Sequence, residues 1–158
     1  MNRKPVLILG LGNLLMGDEG LGVHVARALE KMQWPEEVDI LDGGTGGFQL
    51  MSWLESYEHV IMIDATLDKN SPGTVRQIRP RFVQDYPSAM STHEIGLKDL
   101  IQSMALMGTL PEIHLFAVSI EEVQPLHIGL STSIEEKLPD LISQIRQLAY
   151  QLIPTEVV

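Results

Sequence analysis

Three acidic side chains of this sequence follow short apolar runs, at points where buried strands are expected to end. Glu19 lies in the glycine-rich segment 10–22 (GLGNLLMGDEGLG), Asp42 begins the DGG that follows residues 38–41, and Asp64 ends the run HVIMID. Ligand sites in parallel sheets gather outside the carboxyl ends of the strands. Glu19 and Asp64 would supply two oxygen ligands for a cation at such an edge.

A histidine would complete a site of mixed oxygen and nitrogen ligands, which suits nickel, zinc or another late divalent metal. The chain has five histidines. His93 is the best placed of them, because it precedes a predicted helix that would begin on the ligand-binding side. His114 alternates with core residues of a predicted strand and is expected at the surface, and His127 is expected to anchor a loop.

The glycine-rich segment does not fit the two nucleotide-binding motifs that it resembles. A dinucleotide fingerprint needs a third glycine where Leu15 stands, and a P-loop needs Lys-Ser/Thr where Asp18 and Glu19 stand. Carboxylates at that place would repel phosphate, so we expect no nucleotide cofactor. A purely structural function, with glycines permitting a tight turn and Asp18 capping the next helix, stays open.

The elements that must position these side chains alternate along the chain. Residues 6–11, 38–41, 59–64 and 113–118 are predicted strands, residues 74–78 a less buried edge strand, and residues 21–32, 48–57, 95–107 and 134–152 helices, the last kinked or restarted at Pro139. This alternation predicts a single three-layer α/β domain over residues 1–158, with a mainly parallel, twisted sheet of about five strands between helices.

Composition narrows the classes of partner. The net charge is −10 over 158 residues, which argues against nucleic acid or an anionic membrane as partner. The chain lacks cysteine, which excludes disulfides, thiolate metal sites and a cysteine nucleophile. The apolar run near the N-terminus leads directly into the glycines, so we interpret it as a strand and not as a signal peptide. We expect a cytoplasmic monomer.

Five segments together resemble the maturation endopeptidases of nickel-iron hydrogenases, over nearly the full length of the chain. They are GLGNLLMGDEGLGV (10–23), ILDGGTGG (40–47), IMIDA (61–65), STHEIGL (91–97) and PLHIGLS (125–131). The resemblance implies an enzyme that removes a C-terminal peptide from the precursor of the hydrogenase large subunit, once nickel is in that subunit's active site.

The resemblance also implies functions for individual residues. The family's metal-binding carboxylates correspond to Glu19 and Asp64, and its metal-binding histidine to His93. Asp42 corresponds to an acid that is a candidate for substrate binding or catalysis. The alternative for Asp42, and for Asp64, is an ordinary strand-end acid that accepts backbone N–H bonds. Nickel is expected to be supplied by the substrate, because two carboxylates and one imidazole would form a shallow, open site, with Glu19 and His93 partly exposed.

Two mechanisms remain open at this stage. In one, the metal positions the scissile bond, and it could also polarise the carbonyl or activate a water. In the other, Asp42 is a general base and the metal serves recognition only. The alternative function is a metal-handling chaperone of hydrogenase assembly without peptidase activity.

Overall fold

Five strands form one sheet in the computed structural model, which describes residues 2–88, 90 and 97–155. The strands are β1 (Lys4–Leu11), β2 (Val38–Gly44), β3 (Tyr57–Thr66), β4 (Val75–Ile78) and β5 (Glu112–Ser119). Their order across the sheet is β2-β1-β3-β5-β4. β1, β2, β3 and β5 run parallel, and β4 pairs antiparallel with β5 at one edge. The predicted mainly parallel α/β domain is therefore confirmed.

Helices cover both faces of this sheet. They are α1 (Leu21–Glu30), α2 (Met51–Glu55), α3 (Leu97–Met107), α4 (Thr132–Glu135) and α5 (Leu138–Leu152). The buried residues of α1, α4 and α5 join a core on one face, and those of α2 and α3 join a core on the other. Because both faces are covered, the central strands are apolar along their length, as residues 6–9 of β1 illustrate with no exposed surface at all.

A glycine allows α1 to lie against the sheet backbone. A Cβ on Gly22 would come within 2.2 Å of the Leu11 carbonyl oxygen and 2.3 Å of the Ile63 carbonyl oxygen. Only a residue without a side chain fits between these strands and the helix. Gly22 therefore allows close packing between α1 and the sheet.

Two local predictions need correction, and a third is confirmed. The helix predicted over residues 48–57 is a 3₁₀ turn (Phe48–Leu50) followed by the short α2, and Tyr57 already belongs to β3. Asp18 does not cap α1, whose N-cap residue is Gly20 without a side-chain hydrogen bond. The C-terminal helix is interrupted, as predicted, and α5 restarts with Pro139 in its first turn. Among the described residues, we find no helix with the length and apolar character needed to cross a bilayer.

The strand order creates a topological switch point between β1 and β3. From β1 the chain moves outward to β2, and it then returns across β1 to form β3 on the other side. Crossover connections on opposite faces leave a crevice at the carboxyl ends of two such strands, and ligands of α/β proteins bind there. The turn Gly17–Gly20, called the acidic turn because it contains Asp18 and Glu19, follows β1. Asp64 lies near the end of β3, so the acidic turn and Asp64 both border this crevice.

Candidate functional site

Glu19 and Asp64 are the buried acids of the switch point. Glu19 lies in a 3₁₀ turn (Gly17–Gly20) that joins β1 to α1 and contacts β3. Asp64 is the eighth residue of β3, and its Oδ1 accepts a hydrogen bond of 2.9 Å from the Ala65 backbone N–H. The structure thus brings the elements that carry the two predicted metal ligands into contact.

The burial of these acids contradicts the expected shallow site. The exposed fraction is 3% for Glu19 and 0% for Asp64. Glu19 was expected to be partly exposed, as a ligand in a shallow and open metal site. Here the turn lies under the segment that follows β5, so that its backbone and side chains are covered. Acidic side chains are seldom this deeply buried, so the pair is a candidate functional site.

His93 lies outside the described residues, so its predicted position among the ligands stays a prediction. Its described neighbours in the chain are both fixed at this end of the sheet. Met90 forms an isolated antiparallel bridge with Thr66, at the end of β3. Leu97 begins α3, and since α3 leads into β5 at the amino edge of the sheet, its first turn lies toward the carboxyl edge.

Asp42 lies one strand beyond β1, at the end of β2. Its Oδ1 accepts a hydrogen bond of 3.0 Å from the Gly44 backbone N–H, and its Oδ2 lies 3.2 Å from Nε of Arg27 on α1. The Asp42 side chain is 29% exposed. These contacts stabilise the DGG turn and keep the carboxylate facing α1.

The sheet register separates Asp42 from Asp64. Asp42 is opposite Gly10, which is in turn opposite Ile63, and such partners have their side chains on the same face of a parallel sheet. Asp64 follows Ile63 and therefore projects to the other face. Two strand spacings put the backbones of Asp42 and Asp64 about 10 Å apart. The two acids accordingly border the crevice from opposite faces.

Asp18 is a buried structural anchor that sequence reasoning missed. Its carboxylate accepts hydrogen bonds from Ser131 N (2.7 Å), Ser131 Oγ (2.7 Å) and Gln124 Nε2 (3.2 Å), while its own N–H donates to Gln124 Oε1 (2.8 Å). These bonds fasten the acidic turn to the segment after β5. The available signal was the motif PLHIGLS, which ends at Ser131 and had no assigned chemistry.

His127 supports the same connection through its backbone. Its N–H donates to the Leu15 carbonyl at 3.0 Å, and its carbonyl accepts from Gly17 N–H at 2.7 Å. Its position in an exposed loop, bonded to the glycine-rich segment, agrees with the predicted loop anchor.

Asp68 joins the ends of β3 and β5 next to this site. Its Oδ2 accepts from Thr66 Oγ1 (2.9 Å), Ser119 Oγ (3.1 Å) and Arg76 (3.1 Å), and its Oδ1 accepts from Asn70 N–H (2.9 Å). Burial acts to raise the pKa of Asp68, but these hydrogen bonds and the Arg76 charge outweigh it and hold the pKa below its ordinary value.

Comparisons of the sequence with a family model and with known proteins agree on one family. A family model described as hydrogenase maturation protease matches residues 23–148. The hydrogenase 2 maturation protease of Escherichia coli K12 is 34% identical over 161 residues, covering 97% of this chain and 98% of that protein. The hydrogenase expression/formation protein HoxM of Azotobacter vinelandii is 34% identical over 142 residues, covering 87% of this chain and 69% of that protein.

Solved structures have the same fold. The hydrogenase maturating endopeptidase HybD of Escherichia coli superposes with a TM-score of 0.85 at 33% identity, over 96% of this chain and 93% of that chain. The [NiFe] hydrogenase maturation protease HybD of Thermococcus kodakarensis superposes with a TM-score of 0.74 at 29% identity, over 94% of this chain and 99% of that chain. The similarity therefore extends over the whole domain, including the crevice.

Proposed function

The chain belongs to the hydrogenase maturation protease family, and we propose that it is the endopeptidase that removes the C-terminal extension of a nickel-iron hydrogenase large-subunit precursor after nickel insertion. The observation that carries this proposal is the match along 97% of the chain to a hydrogenase 2 maturation protease. The buried acids Glu19 and Asp64 at the switch point support our assignment of the active site to the crevice.

We assign recognition of the precursor's nickel to Glu19, Asp64 and His93. Two carboxylates and an imidazole suit a late divalent ion, and Glu19 and Asp64 are carried by elements that pack together. Three residues of chain separate Met90 from His93, and this length spans at most about 11 Å. Met90 bridges Thr66, two residues beyond Asp64, and this anchor close to His93 in the sequence supports the assignment.

Nickel in this account is part of the substrate and not a resident cofactor. Docking of a loaded precursor would bring the metal to the crevice. Glu19 and Asp64, which are buried in the unbound chain, would have to become accessible before they complete its coordination and so fix the position of the adjacent peptide. A precursor without nickel lacks this contact and leaves the carboxylates without the cation. Binding energy from the metal thereby selects the mature substrate and orients the scissile bond.

Asp42 is our candidate for the residue that activates water. An ionised carboxylate has about four acceptor positions, and the described contacts of Asp42 are one bond to Gly44 and one to Arg27. Its partly exposed side chain could accept a proton from a water that attacks the peptide carbonyl. A position on the opposite face from Asp64 allows the substrate peptide to lie between the acid and the nickel ligands.

Substitution of the ligands tests this assignment. We expect Glu19→Gln, Asp64→Asn and His93→Ala to abolish processing of a nickel-loaded precursor, measured by intact mass, because each removes a metal ligand. Glu36→Gln, a change at an exposed acid away from the crevice, is the matched control and should process normally. Circular dichroism and thermal unfolding must show that the variants are folded, since Glu19 and Asp64 are buried.

The same assay separates the alternatives. Asp42→Asn should bind the loaded precursor but leave it uncleaved if Asp42 is the general base, and should cleave at the parental rate if Asp42 only supports the turn. A parent protein that binds precursor and never shortens it would instead favour a metal-handling chaperone. Normal processing by folded Glu19→Gln and His93→Ala variants would refute the nickel-ligand assignment.

A further inference from the structure

A second group of metal-ligating side chains lies at the amino end of the sheet, away from the crevice. Nδ1 of His59, at the start of β3, lies 3.1 Å from Nε2 of His114 and 3.3 Å from Oε2 of Glu112, both on β5. One ligand atom from each of the three side chains lies within 4.8 Å of the other two. The sequence argument assigned no chemistry to His59 or Glu112, and it expected His114 at the surface.

The sheet register accounts for this cluster. His59 is opposite Glu112 in the parallel β3–β5 pair, and His114 follows Glu112 by two residues on the same face. His114 is only 4% exposed, so its expected surface position is wrong. Alternation suggests an exposed face only when one side of a sheet meets water, whereas helices cover both sides of β5.

His114 is the buried member of the cluster, with an exposed fraction of 4%. Its Nε2 faces Nδ1 of His59, so a ring nitrogen of each histidine lies in the cluster. The Glu112 side chain is 64% exposed and the His59 side chain 22%, so an ion can enter from solvent on their side.

We propose that His59, Glu112 and His114 form a binding site for a zinc-type divalent cation at the amino edge of the sheet. Zn–N distances of about 2.0–2.1 Å at a tetrahedral angle separate two ligand atoms by roughly 3.3 Å. Two of the three separations, 3.1 and 3.3 Å, are close to that value, and the ligand atoms of the third pair, His114 and Glu112, lie within 4.8 Å of each other. Two histidines and one glutamate leave a fourth position for water, and the ion would connect the central strands β3 and β5.

Arg79 would compete with this ion for the carboxylate of Glu112. Its guanidinium lies 3.4 Å from Oε2 of Glu112, where it neutralises the carboxylate that would ligate the cation. Both side chains are more than half exposed, so Arg79 can move away when an ion binds. We expect Arg79→Gln to strengthen zinc binding several-fold, because it frees Glu112 and removes a nearby positive charge.

Zinc binding to the full chain tests the proposal directly. Equilibrium dialysis against Zn²⁺ followed by metal analysis should give one zinc per chain, and magnesium should not compete because it prefers oxygen ligands. His59→Ala and Glu112→Gln should each weaken zinc binding roughly tenfold or more. His127→Ala and Glu36→Gln, at exposed residues outside the cluster, are matched controls and should bind as the parent does.

A thermal shift measured on the same proteins supplies a second readout. Zinc should raise the melting temperature of the parent and the controls and should leave that of His59→Ala unchanged, since an ion that binds only the folded chain stabilises it. Absence of zinc uptake by the parent, or undiminished uptake by folded His59→Ala and Glu112→Gln, would overturn the proposal. Loss of the bound zinc in Glu19→Gln but not in His59→Ala would place the ion in the crevice and would also overturn it.

Discussion

Removal of the Asp18 carboxylate should detach the acidic turn from the segment after β5. Asp18 is 3% exposed, and its two oxygens accept three hydrogen bonds from Gln124 and Ser131. Hydrogen bonds to charged groups contribute about 1.5–3 kcal/mol each to stability. Gln124 and Ser131 are half-buried, so water can replace part of the loss, and we expect Asp18→Ala to cost about 3 kcal/mol in the free energy of unfolding.

The substitution Asp18→Asn should cost about half as much. The asparagine oxygen can still accept from the Ser131 backbone N–H, but its amide nitrogen would face the Gln124 amide, which is also a donor. Gln124 cannot rotate to resolve this conflict without losing its bond from the Asp18 N–H. The two variants therefore separate the loss of the network from the loss of the charge.

Urea and thermal unfolding measure these effects. A loss of about 3 kcal/mol corresponds to a decrease of roughly 6–12 °C in the melting temperature of a domain of this size. Asp140→Ala, which removes an exposed acid that makes one bond to Gln144, is the control and should change stability by less than about 1 kcal/mol. Equal stability of Asp18→Ala and Asp140→Ala would show that the network does not hold the turn.

Two further substitutions test the packing and the charges around the crevice. Gly22→Ala should destabilise the fold by several kcal/mol, because its Cβ would overlap the Leu11 and Ile63 carbonyl oxygens. The loss should appear as a lower midpoint of urea unfolding. A midpoint equal to the parent's would contradict the close packing. The lowered pKa of Asp68 means that its stabilising contribution is present above its unfolded pKa of about 3.9 and is lost as the pH falls through the lower folded value. Asp68→Asn should therefore lose less stability than the parent between pH 5 and pH 2, and identical pH profiles would contradict this.

The strand positions were predictable because they depend on local patterns. A strand with one face in water alternates apolar and polar residues, whereas residues 6–9 and the interior of residues 59–64 are continuously apolar. Such runs indicate a parallel sheet with both faces covered. The absence of a nucleotide cofactor, expected from Asp18 and Glu19 in the glycine-rich segment, stays a prediction. The carboxyl-edge location of Glu19 and Asp64 followed from the alternation of strands and helices, which indicates a parallel sheet.

Other features depend on distant contacts that no local pattern contains. The partners of Asp18 lie more than 100 residues away, so a capping function was the best local interpretation and was wrong. The burial of Glu19 was also not predicted. The opposite faces of Asp42 and Asp64 depend on the register through Gly10, which the sequence does not specify. The position of His93, the monomeric state and the cytoplasmic location stay predictions.

Cleavage of a hydrogenase large-subunit precursor, prepared with and without nickel, tests the central claim most directly. The purified protein should shorten the nickel-loaded precursor by the mass of its C-terminal extension and leave the nickel-free precursor intact. Metal analysis should show that the protein does not bring nickel of its own into the reaction. Equal cleavage of both precursors would contradict recognition of substrate nickel by Glu19, Asp64 and His93, and cleavage of neither would contradict the proposed peptidase.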